Sequence, residues 1–203
     1  FNFPNAAMFD QTGKSNNADT VGNAQLDTSV KKFGTASLEL DGTGDYLKIP
    51  SSSLMAFGSG SYTIEAFVYK RSTGQQSIYD ARGGTNTNRV LFYVNSANKL
   101  ANYINASVKG AATSDFPLNE WVHVALVRSG TTGYMFQNGT QVSTWTGDST
   151  NIVAPDTAGL YIGEDTRTGL SYPWDGFIDE LRITKSARYT SNFSAPTKEF
   201  PNL

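Results

Sequence analysis

Three groups of side chains hold the chemical possibilities of this 203-residue chain. The first lies in the run Trp174-Asp175-Gly176-Phe177-Ile178-Asp179-Glu180-Leu181-Arg182-Ile183-Thr184, a strand with two carboxylates inside it. A carboxylate in mid-strand needs a partner to offset its desolvation. Asp179 can find one in a calcium ion, which takes roughly six to eight oxygens in a tolerant geometry, or in backbone amides, Arg182 or Lys48. The second group occupies two polar loops, residues 80–89 and 164–174. Sugars are held by aromatic faces against their C–H surfaces and by planar polar side chains matched to vicinal hydroxyls. Arg82, Asn86, Arg89, Tyr172 and Trp174 are therefore the expected carbohydrate-binding residues, against the plainer reading of a solvated loop and an edge-capping aromatic. The third is His123, the one histidine, which sits inside an alternating strand and is expected to be packed or hydrogen-bonded there.

Catalysis finds little support in these groups. Asp179 and Glu180 are strand neighbours and point to opposite faces unless a bulge intervenes, so they make a poor acid/base pair. A serine triad would need His123 and a Gly-x-Ser-x-Gly elbow, which the sequence lacks. The chain is expected not to be an enzyme. Gly42-Thr43-Gly44 and Gly58-Ser59-Gly60 are too short to cradle a phosphate and read as turns. Asn105, Asn138 and Asn192 open Asn-x-Ser/Thr sequons, which matter only on a eukaryotic secretory route.

The elements that must position these residues are short strands. Alternation of apolar and polar residues predicts strands at 36–40, 46–49, 62–69, 76–81, 90–94, 99–104, 121–128, 134–137, 141–144, 159–163 and 177–184. In the third of these, Ile64, Ala66 and Val68 share one face and Thr63, Glu65, Phe67 and Tyr69 the other. Asn138-Gly139 supplies the two positive φ angles of a type I′ hairpin. Residues 51–57 and 187–192 are each expected to hold a helical turn, and residues 1–34 to form an irregular wrap with at most one short strand. So many strands without a long helix leave exposed edges, which two packed antiparallel sheets resolve. The expected fold is an all-β antiparallel sandwich in one domain spanning residues 1–203.

Composition agrees with this. Aromatics make up 12% of the chain, charged residues 17%, and there are 19 glycines, a balance suited to many strands and turns. The absence of cysteine rules out a disulfide framework and thiolate metal sites. A formal net charge of −2 gives no reason to expect nucleic acid or an anionic membrane as a partner, since either would favour a concentrated basic surface. No apolar run approaches the roughly 18 residues of a membrane span. The chain opens on Phe1, not Met, and is expected to be a module of a larger polypeptide.

Four stretches resemble the laminin-G-like, concanavalin A-like lectin/glucanase domains, in that family's order and spacing. They are residues 32–47, with their Asp41-Gly42 turn; residues 62–68, beginning Tyr62-Thr63-Ile64-Glu65; residues 120–128 continued through the Asn138-Gly139 hairpin; and Leu160-Tyr161-Ile162-Gly163 followed by the 174–184 strand. The resemblance implies a concanavalin A-like jelly roll. It also implies a structural calcium where the last strand meets the N-terminal wrap and an early glycine turn, held by Asp10, Asp41, Asp45 and Asp179. Retaining β-glucanases of this fold use a Glu-x-Asp-x-(x)-Glu strand with carboxyls about 5 Å apart. Glu39-Leu40-Asp41 begins that motif, but Thr43 and Gly44 stand where its second glutamate belongs. The family's further apolar strand near the start has only Phe1-Asn2-Phe3-Pro4 in its place, so a neighbouring chain could supply it.

The tail at 187–197 is similar to endings common in bacteriophage virion proteins. The expected function is a non-catalytic carbohydrate-binding or adhesion module of a larger surface assembly, located on a virion or at an extracellular surface. Its expected partners are cell-surface glycans and neighbouring virion or surface proteins. Repeated copies in a homo-oligomeric assembly would turn weak contacts into useful avidity. The alternatives are a purely structural protein–protein module of a virion and, further off, a glycoside hydrolase.

Overall fold

The computed structural model describes residues 17–167 and 169–201. Its strands, in chain order, are β1 (Asp19–Val21), β2 (Gln25–Asp27), β3 (Ser37–Asp41), β4 (Tyr46–Ile49), β5 (Tyr62–Lys70), β6 (Gln76–Asp80) and β7 (Val90–Val94). They continue as β8 (Leu100–Ile104), β9 (Ser107–Ala111), β10 (Trp121–Ser129), β11 (Thr132–Gln137), β12 (Thr140–Trp145), β13 (Leu160–Ile162) and β14 (Asp175–Thr184). A single turn of 3-10 helix, Ser53–Met55, is capped by the Ser52 hydroxyl accepting from the Leu54 amide.

The strands form two seven-stranded antiparallel sheets. The first runs β1-β4-β13-β6-β7-β8-β9 and the second β12-β11-β10-β5-β14-β3-β2. Neighbours in space are often remote in sequence, as when β14 inserts between β5 and β3; this is the crossed-over connectivity of a jelly roll. Because side chains alternate across a strand, Ile64, Ala66 and Val68 of β5 face the first sheet, as do Val122, Val124 and Leu126 of β10. They join Ile78, Phe92, Val94, Leu160, Ile162 and Ile178 in one buried core.

The Asn138-Gly139 hairpin forms as the dipeptide predicts, with φ of 50° and 78°. Gly139 has a second reason to lack a side chain, since a Cβ there would lie 2.0 Å from the Phe193 carbonyl oxygen. The returning tail crosses the hairpin at that point, and the Phe193 amide donates to the Gly139 carbonyl.

Three expectations need correction. Residues 17–34 contain two strands, β1 and β2, each only three residues long and therefore too short to show a period. β9 was absent from the sequence pattern because Ser107-Val108-Lys109-Gly110-Ala111 has one large apolar residue and a glycine; the β8 ladder imposes its conformation. Residues 187–192 hold no helical turn. Ala187, Tyr189 and Phe193 instead lie against Ala125, Val127 and Phe136 on the outer face of the second sheet, forming a small core of their own.

Candidate functional site

The two polar loops singled out by the sequence do meet. Arg82 donates from Nε to Asp80 Oδ1 at 3.0 Å and from Nη2 to Asp80 Oδ2 at 2.8 Å, and the same Nη2 reaches Asp165 Oδ2 at 2.8 Å. Arg167 grips Asp165 from the other side at 2.8 and 3.0 Å. The Gly83 amide donates to Thr166 Oγ1, and the Thr166 amide to Asp80 Oδ2. Glu164 closes the second loop by accepting from the Tyr172 amide and the Ser171 hydroxyl. Burial pushes the Asp80 carboxyl above the usual carboxylate range against the pull of Arg82. Burial also works on Asp165, but the hydrogen bonds of Arg167 and the charges of Arg82 and Arg167 hold its carboxyl below that range.

The individual residues are placed differently from the expectation. Trp174 is fully buried, donates from Nε1 to the Tyr69 carbonyl at 3.2 Å and meets Phe116 edge-on; it belongs to the core and offers no face to a sugar. Arg82 is 2% exposed and committed to its two carboxylates, so it positions the loops and does not touch a ligand. Arg89 is also buried, and among the described residues its Nε and Nη1 and Asn86 Oδ1 lack hydrogen-bond partners. Tyr172 and Asn86 keep partial exposure.

The loops lie over the middle of the outer face of the first sheet, where Asp80 and Leu91 are 0% and 2% exposed. Cross-strand register lines up Asp19, Lys48, Tyr161, Asp80, Leu91, Tyr103 and Val108 as direct partners from β1 through β9. Beside this row Tyr46 stacks on Tyr161, with centroids 4.5 Å apart, and Tyr93 packs with Leu91, Ala101 and Tyr103. Burial, reinforced by Tyr161, pushes the Tyr46 hydroxyl up to about 12, so it remains a neutral donor at ordinary pH. The Arg82 guanidinium lies 5.5 Å from the centroid of Tyr103. Tyr46 and Tyr161 on one side of the loops and Tyr103 on the other keep partial exposure, as do Lys48 and Arg167. Sequence reasoning missed Tyr46, Tyr103 and Tyr161 because they lie on separate strands. The outward positions of the alternation were the available signal, but only the register gathers them.

The outer face of the second sheet is largely covered. Glu65 is completely buried, and it receives Arg182 at 2.8 Å, Arg188 at 3.1 Å, the Tyr189 hydroxyl at 2.9 Å and His123 Nε2 at 3.2 Å. Burial alone would raise its carboxyl; the bonds from His123, Tyr189 and Arg182 bring it below its ordinary value. His123 is thus packed and hydrogen-bonded as expected, between Phe67 and Phe193. Beyond the tail, Trp121, Tyr69, Phe177, Glu39 and Gln25 form a cross-strand row. Arg71 lies over Phe177 and bonds Glu39 at 2.6 Å.

The expected calcium ligands do not converge. Asp179 Oδ2 accepts the Lys32 and Phe33 amides and Oδ1 the Glu180 amide. Asp45 accepts the Asn23 and Asp41 amides, one on each oxygen. Asp41 is opposite Asp175 in the ladder, which leaves it four residues, about 13 Å, from the level of Asp179. Asp10 lies outside the described residues. Among the described residues no group of three or more candidate ligands is suited to a metal, and these three carboxylates do not fit one ion. A bulge does fall between Asp179 and Arg182, but Glu180 turns to accept the Phe200 amide and leaves no acid/base pair. Asp41 and Asp175 face each other across β3 and β14; Asp41 is exposed and accepts the Thr43 amide.

A family model described as the concanavalin A-like lectin/glucanases superfamily, of laminin G type, matches residues 41–191. No curated protein matches the sequence. Among solved structures, a Bacteroides ovatus protein described as a candidate carbohydrate binding protein superposes with a TM-score of 0.56 at 17% identity, covering 85% of this chain and 44% of that one. Trypanosoma rangeli sialidase in complex with sialic acid superposes with a TM-score of 0.62 at 16% identity, covering 87% of this chain and 28% of that one. The chain therefore spans less than half the length of either relative, and at these identities the likeness is one of fold.

Proposed function

The chain belongs to the concanavalin A-like lectin/glucanase superfamily, and from that premise we propose that it is a non-catalytic carbohydrate-binding module of a larger surface assembly. The observation that carries this reading is the half-buried tyrosines Tyr46, Tyr161 and Tyr103 on the outer face of the first sheet, to either side of the two ion-paired loops. Tyrosine rings stack on sugar C–H faces, and their hydroxyls, with Lys48 and Arg167, hydrogen-bond to sugar hydroxyls. The description of the Bacteroides ovatus relative as carbohydrate binding supports the ligand class. Each site is shallow, so useful strength comes from several copies acting together.

The test is a glycan array probed with the domain displayed multivalently, beside Tyr161→Ala and Tyr103→Ala variants checked for normal folding. Sugar-specific binding lost in both variants establishes the site. Binding to no glycan at high valency overturns the reading in favour of a structural module held by protein contacts. Hydrolysis of a bound glycan, lost in Asp175→Asn, would instead make the chain a glycosidase.

The placement on a virion rests on the similarity of residues 187–197 to phage virion endings. Mass spectrometry of purified particles tests it. Recovery of the chain from bacterial envelopes alone moves the module to a cell surface.

A further inference from the structure

At the end of the sandwich where β4, β13 and the close of β14 approach one another, the two sheets leave a cavity of about 560 Å3. Ile49, Leu54, Met55, Leu160 and Ile183 form its apolar wall, and Tyr79, Thr184, Lys185 and Ser186 complete the lining. Protein interiors hold few voids larger than a water molecule, whereas small-molecule sites run from about 300 to 1,000 Å3 with mostly apolar walls and a few placed polar groups. The size and the lining both belong to the second kind.

Thr184 pairs with Thr63 in the ladder, so its side chain turns to the outer face of the second sheet, away from the cavity. Tyr79 is 1% exposed, and burial raises its pKa, so its hydroxyl remains a donor. Lys185 is exposed and forms no ion pair among the described residues. Leu54, on the 3-10 turn beside the cavity, is 48% exposed. The lining thus offers one ammonium, the Tyr79 and Ser186 hydroxyls and no carboxylate beside a wall of aliphatic side chains.

We propose that this cavity binds a small amphipathic carboxylic acid, its alkyl chain between the sheets and its carboxylate met by Lys185 and the hydroxyls. The charge on the lining favours the anion over a neutral or cationic molecule of equal length. The site is separate from the tyrosine face and does not depend on glycan binding.

Titration calorimetry of the intact chain with decanoate, decanol and decyltrimethylammonium below their micellar concentrations tests this. The expected result is saturable one-to-one binding of decanoate, weaker binding of decanol and none of the cation. Lys185→Glu and Leu54→Glu, both at exposed positions, should each weaken decanoate at least tenfold, Lys185→Arg should retain it, and none should alter glycan binding. Absence of saturable decanoate binding overturns the proposal. So does equal binding of all three probes, or binding indifferent to the two glutamate variants.

Discussion

Arg82 and Asp165, 83 positions apart in the chain, meet at 2.8 Å with both side chains at most 2% exposed. Because Asp80 shares the same guanidinium, removing Arg82 leaves two buried carboxylates short of their cation. Arg82→Ala should therefore cost about 3–5 kcal/mol of stability, measured by urea unfolding. Arg82→Lys should recover little of that, since a point charge cannot reproduce the fork that spans Asp80 and Asp165.

Trp174 and Tyr161 should separate stability from binding. Trp174→Ala empties a fully buried ring position and should cost about 3–5 kcal/mol. Tyr161→Ala removes a half-exposed ring stacked on Tyr46 and should lower the melting temperature only slightly while abolishing glycan binding. Binding by a folded Tyr161→Ala variant equal to wild type would place the sugar elsewhere, with the Trp121–Tyr69 surface the next to mutate.

The contrast between these residues shows what the sequence made legible. Alternation located eleven of the strands and assigned the inward and outward faces of β5, because a half-buried sheet stamps period two on its residues. Polar composition marked the loops at 80–89 and 164–174 as candidate sugar contacts, but not that they would be ion-paired to each other. Alternation could not weigh Trp174 against Tyr161: both look like aromatics at the end of an apolar stretch, and only the packing of β14 against β5 turns the first inward. Nor could it foresee the tyrosine row, which depends on the order β4-β13-β6-β7-β8 and hence on long-range pairings with no local signature. Asp179 was correctly marked as a carboxylate needing partners, and the partners are the amides of Lys32 and Phe33.

Glu65 should anchor the C-terminal tail. Its carboxylate holds Arg188 and Tyr189 as well as Arg182 and His123. Tyr189→Phe should lose one hydrogen bond to a charged group, about 1.5–3 kcal/mol. Glu65→Gln should cost more, since it leaves the arginines unpaired. Hydrogen exchange reports where the loss falls: the Phe193 amide, bonded to Gly139, should exchange faster in both variants, while amides of the first sheet keep their protection.

Lys70 predicts a rise in stability on the alkaline side. Burial lowers its pKa to about 8, against the pull of Asp175, while the unfolded chain keeps the ordinary lysine value near 10.4. Between those two values the unfolded state binds more protons than the folded one, so stability increases with pH. Above about pH 10 the trend reverses, because burial raises the hydroxyls of Tyr46, Tyr62 and Tyr79 and the unfolded chain ionises its tyrosines first. Urea midpoints from pH 7 to 11 should therefore pass through a maximum, and Lys70→Met should flatten the rising limb. A rising limb of unchanged height in Lys70→Met would assign the effect to another group.

Calcium should leave the protein's stability unaltered. A metal stabilises in proportion to its preference for the folded state, and a site needs several oxygens turned towards one point. Asp45 and Asp179 spend their oxygens on backbone amides, and Asp41 lies about 13 Å along the ladder from the level of Asp179. Melting in chelator and in millimolar calcium should give the same midpoint, and Asp179→Asn should be destabilised equally in both. A midpoint lowered by chelator and restored by calcium, with the difference lost in Asp10→Asn, would show that Asp10 completes a site with other ligands. In that event the amides of Lys32 and Phe33 would still be the partners of Asp179.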